Sequence, residues 1–221
     1  AVQSIQASGG SDAESEQVRL SEVDADARKD EREGRAQGDM LKTTADKGIG
    51  KEKVKAQVGV AVRRFHGLKG AEKDVAAGAE YLQKAAEGGD SQALANYGFM
   101  LANGWGVERN VSLSLEKFQR AVELGDVQGH VGIGYVHYYG LGSVEQDYAK
   151  ALEHYLIAAR KGDAMALFNV GEMYRTGEGV EKNYTQSWSL FRAAAAQGHF
   201  KALYMMGLSS WFGWGTTKSC S

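Results

Sequence analysis

Proline is absent from the 221-residue sequence, and cysteine occurs once, at Cys220. A single cysteine excludes an internal disulfide framework, while the absence of proline excludes a cis-proline step in folding and leaves glycine to form the short turns. No apolar run approaches the roughly 18 residues of a membrane-spanning helix. The net charge of −2 provides no general attraction to nucleic acid. We therefore predict that this chain neither spans a membrane nor binds nucleic acid.

Recognisable catalytic motifs are also missing. The sequence contains no His-Glu-x-x-His helix and no Gly-x-Ser-x-Gly elbow, and no nucleophile has an obvious base. Residues 45–51 resemble a phosphate-binding loop, but Glu52 replaces the serine or threonine that would bind magnesium, and no apolar strand precedes the segment. We predict that the protein is not an enzyme and has no catalytic residue, no cofactor and no metal site.

Four marker glycines recur at intervals of 36, 37 and 36 residues: Gly89, Gly125, Gly162 and Gly198. Fifteen residues before each stands an Asp or Asn, which caps a helix by accepting a hydrogen bond from a first-turn N–H: Asp74, Asn110, Asp147 and Asn183. Eight residues after each cap is a large apolar residue, and eleven after it an alanine: Leu82, Phe118, Tyr155 and Phe191, then Ala85, Ala121, Ala158 and Ala194. This pattern predicts a helix of about four turns that ends at the marker glycine.

Another helix-forming segment follows each marker glycine and contains an inner glycine nine residues after it: Gly98, Gly134, Gly171 and Gly207. This segment is the first helix of a repeat, and the capped helix described above is the second. Because glycine inside a helix costs roughly 1 kcal/mol relative to alanine, we expect the inner glycines to allow close approach of a neighbouring helix.

Self-similarity at this period predicts an all-α, right-handed solenoid of helix-turn-helix repeats. The predicted solenoid covers residues 47–221. Its repeats are expected at 53–89, 89–125, 125–162 and 162–198, with a partial repeat at 198–221.

The fourth copy carries the most complete pattern. It contains Ala166-Leu167, Val170-Gly171, Tyr174 and Gly177-Glu178-Gly179-Val180, followed by Asn183, Ser187 and residues 193–198. These residues resemble the Sel-1-like repeat family, a relative of the tetratricopeptide repeat, and the resemblance covers about residues 53–220. It implies an α-solenoid that serves as a scaffold for protein–protein interaction.

Residues 198–203 and 213–220 resemble, more narrowly, the lumenal adaptors of the ubiquitin-ligase complexes for endoplasmic-reticulum-associated degradation. This resemblance implies a non-enzymatic adaptor in the ER lumen that holds the ligase and presents misfolded glycoproteins. The alternative is a structural or assembly subunit of a large organellar membrane complex, in a mitochondrion or plastid. Both imply protein partners in a hetero-complex. Because the chain begins at Ala1 rather than methionine and ends within a repeat, we expect it to be part of a longer protein.

Residues 1–46 differ in composition from the repeats. Residues 12–39 hold many acidic and basic side chains and almost no large apolar ones, so they cannot bury enough area to offset their chain entropy. We predict a charged N-terminal arm, extended or helical, that a partner chain orders. The alternative is a degenerate second helix within residues 33–48, with Leu41, Ala45 and Gly48 in phase.

In tetratricopeptide-like stacks the first helices line the concave face, with inward positions 3, 6, 10, 13 and 14 residues after the marker glycine. Eight of these twenty positions are aromatic, against 10% of the whole chain, and aromatic residues carry much of the energy at protein interfaces. We predict a partner-binding groove formed by Phe99, Gln128, Tyr135, Tyr138, Tyr139, Glu172, Arg175, Leu208, Trp211 and Phe212. The last three lie in helix 199–214, which is apolar around much of its circumference, so we predict that this helix also contacts a partner, another copy or further repeats.

Two other sets of polar residues have competing interpretations. His130 and His137 would share a helix face, but other copies hold leucine or tyrosine at these positions, so we interpret them as half-buried packing residues rather than metal ligands. Asn110 and Asn183 each begin an Asn-x-Ser/Thr sequence. Chance and glycosylation in the secretory pathway both account for these sequences, and glycosylation would support the ER localisation.

Overall fold

The computed structural model describes residues 30–48, 50–68 and 71–215, which form ten helices and no strand within those ranges. The helices are α1 (30–47), α2 (Gly50–His66), α3 (Val75–Glu87), α4 (Ser91–Asn103), α5 (Val111–Glu123), α6 (Val127–Tyr139), α7 (Tyr148–Arg160), α8 (Ala164–Thr176), α9 (Tyr184–Ala195) and α10 (Phe200–Phe212). The principal contacts join helices adjacent in sequence, and α4 also packs on α6. Contacts confined to neighbouring units define a solenoid, so the prediction of an all-α solenoid is confirmed.

The second helices begin where the sequence places their caps. The side chains of Asp74, Asn110, Asp147 and Asn183 each accept a hydrogen bond from the backbone N–H three residues later. The first helices α4, α6 and α8 also begin at a capping aspartate, which directly follows the marker glycine: Asp90, Asp126 and Asp163. Both helices of a repeat therefore start at a side chain that satisfies an otherwise unpaired N–H.

The marker glycines provide the turn between the two caps. Gly89, for example, has a φ of 84°, a left-handed conformation that other residues adopt only with strain. Asp90 N–H then donates to Ala85 C=O, so that the chain reverses and α4 packs back on α3.

The inner glycines receive the aromatic residues of the second helices. A Cβ atom at Gly98 would lie 2.7 Å from the Phe118 ring, one at Gly134 2.7 Å from the Tyr155 ring, and one at Gly171 2.8 Å from the Phe191 ring. Phe118, Tyr155 and Phe191 are among the most buried side chains. The expectation that the inner glycines allow close helix packing is therefore confirmed at three sites. We call the space beside an inner glycine its socket; at these three sites an aromatic ring fills it.

Helix α1 packs on the first repeat. Leu41 covers Gly59 of α2, the Gln57 amide donates to Ala45 C=O at 3.4 Å, and the Tyr81 hydroxyl donates to Asp46 at 2.8 Å. Leu41, Ala45 and Asp46 thus contact the first repeat of this chain. The rest of the predicted arm, residues 1–29, and residues 216–221 with Cys220 lie outside the described residues.

Candidate protein-binding surface

An open cavity of about 500 Å3 lies on the face formed by the first helices. Its walls come from α2, α4, α6, α8 and α10, with one side chain from α3. Because both α2 and α10 reach it, the row of first helices curves around it. We call this space the concave cavity.

Two of the ten predicted partner-binding residues, Phe99 and Tyr135, line the concave cavity. The Tyr135 hydroxyl donates to Asn103 Oδ1 at 2.7 Å, and its ring centroid lies 5.8 Å from that of Phe99. The ring of Tyr139 lies 4.9 Å from that of Tyr135, and 57% of the residue is exposed. We call Phe99, Tyr135 and Tyr139 the aromatic strip. The hydrogen bond and edge-to-face contacts fix these rings in place before any partner arrives.

Tyr138 is instead a link between repeats. Its hydroxyl donates to Glu178 Oε2 at 2.6 Å, and its ring contacts Tyr148 and Tyr155 at centroid distances of 5.3 and 6.5 Å. Burial is the main cause that raises the pKa of Tyr138, and the hydrogen bond to the Glu178 carboxylate raises it further. Its side chain therefore serves the packing of α6 on the following elements.

Three other predicted residues make polar contacts within the solenoid. The Gln128 amide donates to Asp163, the cap of α8, and thereby joins α6 to the next repeat. Arg175 forms two hydrogen bonds with Glu172, at 3.0 and 2.8 Å, and this pairing raises the pKa of Arg175. The pair is half-buried and neutral overall, so it presents little net charge to a partner.

The three predicted residues of α10 lie at the end of the described solenoid. Leu208 is half-buried, whereas Trp211 is 71% exposed and Phe212 is also exposed. The Phe212 ring stacks on Trp214 at 4.8 Å, and Trp214 stacks on Tyr184 at 5.8 Å. These rings form a second apolar surface, and none of them is among the residues that line the concave cavity.

The sequence did not identify several residues that line the concave cavity, including Val62, Phe65 and Trp105. Val62 and Phe65 belong to the first copy, which departs from the repeat pattern because Val62 stands where the later copies have the inner glycine. Trp105 is the middle residue of a Gly-x-Gly turn. The equivalent turn of the last copy also holds a tryptophan, Trp214, and this recurrence could have marked Trp105 as a candidate surface residue. Apart from Tyr135, the charged or titratable side chains among the described lining residues are His66 and Lys201, and none of these lining residues carries a carboxylate.

His130 and His154 face each other between α6 and α7. Their Nδ1 atoms are 3.1 Å apart, so one ring donates to the other, and both side chains are half-buried. Burial is the main cause that lowers the pKa of each histidine. The charge of Lys161 lowers the pKa of His130 further, and the charge of His130 lowers the pKa of His154 further. No cluster of three or more metal-binding side chains exists among the residues that the structure describes.

The histidine pair predicts how stability depends on pH. The pKa values of the folded histidines lie below the ordinary value of about 6.5, so the unfolded chain binds protons first as the pH falls, and the folded state loses stability. Leucine occupies the equivalent positions in the next repeat, Leu167 and Leu190. We expect His130→Leu with His154→Leu to reduce the drop in melting temperature between pH 7.5 and pH 5.5, as measured by circular dichroism. Equal drops in the variant and the parent protein would contradict this account.

None of the helices among the described residues is long and apolar enough to cross a membrane.

Comparisons with known proteins agree with the geometry. The Sel1 repeat pattern matches residues 54–90, 91–126, 128–163, 164–199 and 200–221. Human protein sel-1 homolog 2 is 44% identical over 64 residues, which are 28% of this chain and 9% of that protein. The ERAD-associated E3 ubiquitin-protein ligase component HRD3B of Arabidopsis thaliana is 44% identical over 48 residues, 22% of this chain and 8% of that protein. The matched stretches thus cover less than a tenth of either relative.

The fold also agrees with a solved structure. A Sel1 repeat protein from Oxalobacter formigenes superposes with a TM-score of 0.62 and 26% identity, over 75% of this chain and 67% of that one. The repeat matches extend over most of the sequence, and they coincide with the helix pairs described above. The chain belongs to the Sel1 repeat family.

Proposed function

We propose that this protein is a non-enzymatic scaffold that binds an apolar segment of a partner protein in the concave cavity. The supporting observation is the cavity itself, with the aromatic strip at its edge and with Val62 41% exposed on its wall. Sel1 repeats are generally protein–protein interaction modules. Since the walls are helices held by their neighbours, binding requires little ordering of the scaffold, and more of the contact energy appears as affinity.

We further propose that the scaffold is an adaptor in ER quality control, located in the ER lumen. The local similarity to HRD3B supports this, because the name of that protein places it in an ERAD-associated ubiquitin ligase. The adaptor would hold the ligase component on one surface while the concave cavity binds a client or a second subunit. The apolar lining suits an exposed hydrophobic segment of the kind that misfolded proteins present.

The two candidate glycosylation sites give a test of the compartment. Asn110 and Asn183 are exposed, and each caps its helix through Oδ1, so a glycan on Nδ2 would leave the cap intact. We expect the protein from its own cells to lose mass on treatment with an endoglycosidase. Asn110→Asp with Asn183→Asp should abolish that shift without destabilising the protein, because aspartate is the cap at the equivalent Asp74 and Asp147. A protein that carries no sugar would contradict the ER proposal.

Affinity purification of the full-length protein from its own cells, followed by mass spectrometry, tests the function directly. We expect ubiquitin-ligase and quality-control proteins in stoichiometric amounts. Subunits of a mitochondrial or plastid membrane complex would instead establish the structural alternative. Recovery of the protein without any stoichiometric partner would contradict the scaffold proposal itself.

A further inference from the structure

Lys201 departs from the repeat pattern on the concave face. It lies three residues after its marker glycine, where the complete repeats hold the uncharged residues Gln92, Gln128 and Met165. Met165 and Lys201 both line the concave cavity, and Met165 is 45% exposed although α9 and α10 follow it in the chain. A complete repeat therefore leaves this position open to the cavity, and Lys201 places a cation there.

Lys201 carries its charge where α10 itself disfavours a cation. It is the second residue of α10, whose first turn contains no acidic side chain. The helix dipole places positive partial charge at this end, and a lysine there is repelled by it. Lys201 is exposed and belongs to none of the ion pairs formed among the described residues. Its charge is thus available to a ligand.

The α2 side of the concave cavity is mainly apolar. Val62 and Phe65 line it, and the Phe65 ring centroid lies 6.1 Å from that of Trp105, another lining residue. Because α2 and α10 are the two ends of the row of first helices around the cavity, the apolar wall and the Lys201 charge belong to opposite ends of that row.

Asn96 of α4 adds a hydrogen-bonding group to the same lining. Its side chain is half-buried, and no hydrogen bond joins it to another described residue. The amide of Asn103, by contrast, is already engaged, since it donates to Phe99 C=O at 2.8 Å and accepts from the Tyr135 hydroxyl. The Asn96 amide can therefore both donate to and accept from a peptide group.

We propose that the concave cavity recognises an extended partner segment that combines apolar or aromatic residues with an aspartate or glutamate. This inference rests on the proposed function and adds the charge of the segment to it. The apolar side chains lie against Val62 and Phe65, a peptide group pairs with Asn96, and the carboxylate lies beside Lys201. No carboxylate among the described lining residues competes for that cation. A basic segment is rejected, because its lysine or arginine would be repelled by Lys201.

Selection from a phage-displayed library of random peptides, with the 221-residue chain as bait, tests the charge of the segment without presupposing its sequence. We expect the enriched peptides to combine apolar residues with Asp or Glu. A Lys201→Glu bait should instead enrich Lys or Arg beside similar apolar residues. This variant should give the circular dichroism spectrum of its parent, because an acidic residue suits the first turn of a helix.

A matched charge reversal elsewhere controls for net charge. Lys182 is exposed and does not line the concave cavity, so Lys182→Glu should select the same peptides as the parent. The most enriched peptide is then synthesised with a fluorophore. In fluorescence anisotropy, Lys201→Gln should weaken its binding roughly tenfold or more. Replacing the acid of the peptide by its amide should remove that difference, as expected for a direct pair.

The outcomes separate this inference from the proposed function. Enriched peptides that are apolar without an acidic preference, or an unchanged preference with Lys201→Glu, would overturn the inference alone. A bait that enriches no apolar peptide would contradict both. Displacement of the enriched peptide by an equimolar synthetic peptide of residues 12–29, which hold more acidic than basic side chains, would assign the cavity to this chain and not to a partner. Self-association in sedimentation velocity that Lys201→Glu abolishes would assign it to a second copy.

Discussion

Alanine at Gly98, Gly134 or Gly171 should destabilise the solenoid, whereas alanine at Gly207 should stabilise it. At the first three sites the new methyl group would lie 2.7–2.8 Å from a buried ring, closer than contacting carbon atoms can approach. Overpacking of this kind costs about 1–3 kcal/mol, which exceeds the roughly 1 kcal/mol that alanine gains over glycine in a helix. At Gly207 the gain stands alone, because no atom of the described residues lies within 4 Å of the added methyl group.

Gly132 should show the largest loss of the series. A Cβ there would overlap the ring of Phe118, which packs between α4 and α6 and is fully buried. The ring cannot move away without leaving the Gly98 socket, so Gly132→Ala is expected to cost about 3 kcal/mol or more.

Urea unfolding followed by circular dichroism measures all five variants on one scale. Gly207→Ala is the matched control, since it makes the same substitution at the same repeat position without the ring. Combining Gly98→Ala with Phe118→Leu should lose less stability than the two single variants summed, because the smaller side chain makes room for the methyl group. A Gly98→Ala protein as stable as its parent would show that the ring and the glycine are not in close contact.

The repeat pattern predicted the features that every copy shares. Asp74, Asn110, Asp147 and Asn183 cap their helices as expected, and three of the four inner glycines lie against a neighbouring helix as expected, because both features depend on contacts within one repeat or between adjacent ones. Such short-range geometry recurs whenever the same residues recur.

Features that join non-equivalent helices were not predictable in this way. The concave cavity brings together Val62 of α2, Met165 of α8 and Lys201 of α10, which no repeat-level pattern relates. Their proximity depends on the curvature that accumulates from small rotations between successive repeats. The role of Tyr138 is a related case. Its spacing indicated an inward residue, but the acceptor that orients its hydroxyl, Glu178, lies in the next repeat's turn.

This role of Tyr138 affects how the concave surface is best probed. Tyr135→Ala with Tyr138→Ala, which truncates two of the predicted groove residues, would also remove the hydrogen bonds to Asn103 and Glu178 together with packing between repeats. Lost partner binding in that variant would not distinguish a damaged solenoid from a missing contact. A substitution on the wall of the concave cavity, at a side chain without such a structural role, avoids this ambiguity.

Val62→Arg should abolish partner binding while leaving the solenoid folded. Val62 is 41% exposed, and arginine is a better helix former than valine, so the free protein accommodates the change. A partner segment in the concave cavity would bury the new charge beside Lys201 and His66, with no carboxylate among the described wall residues to pair with it, and an unpaired buried charge costs several kcal/mol. We expect recovery of the main partner to fall about 100-fold in quantitative affinity purification, the equivalent of about 2.7 kcal/mol.

The matched control is Gln119→Arg, at an exposed position of α5 outside the cavity, which should bind as the parent does. Equal recovery with both variants, each folded by circular dichroism, would show that the partner binds elsewhere on the solenoid.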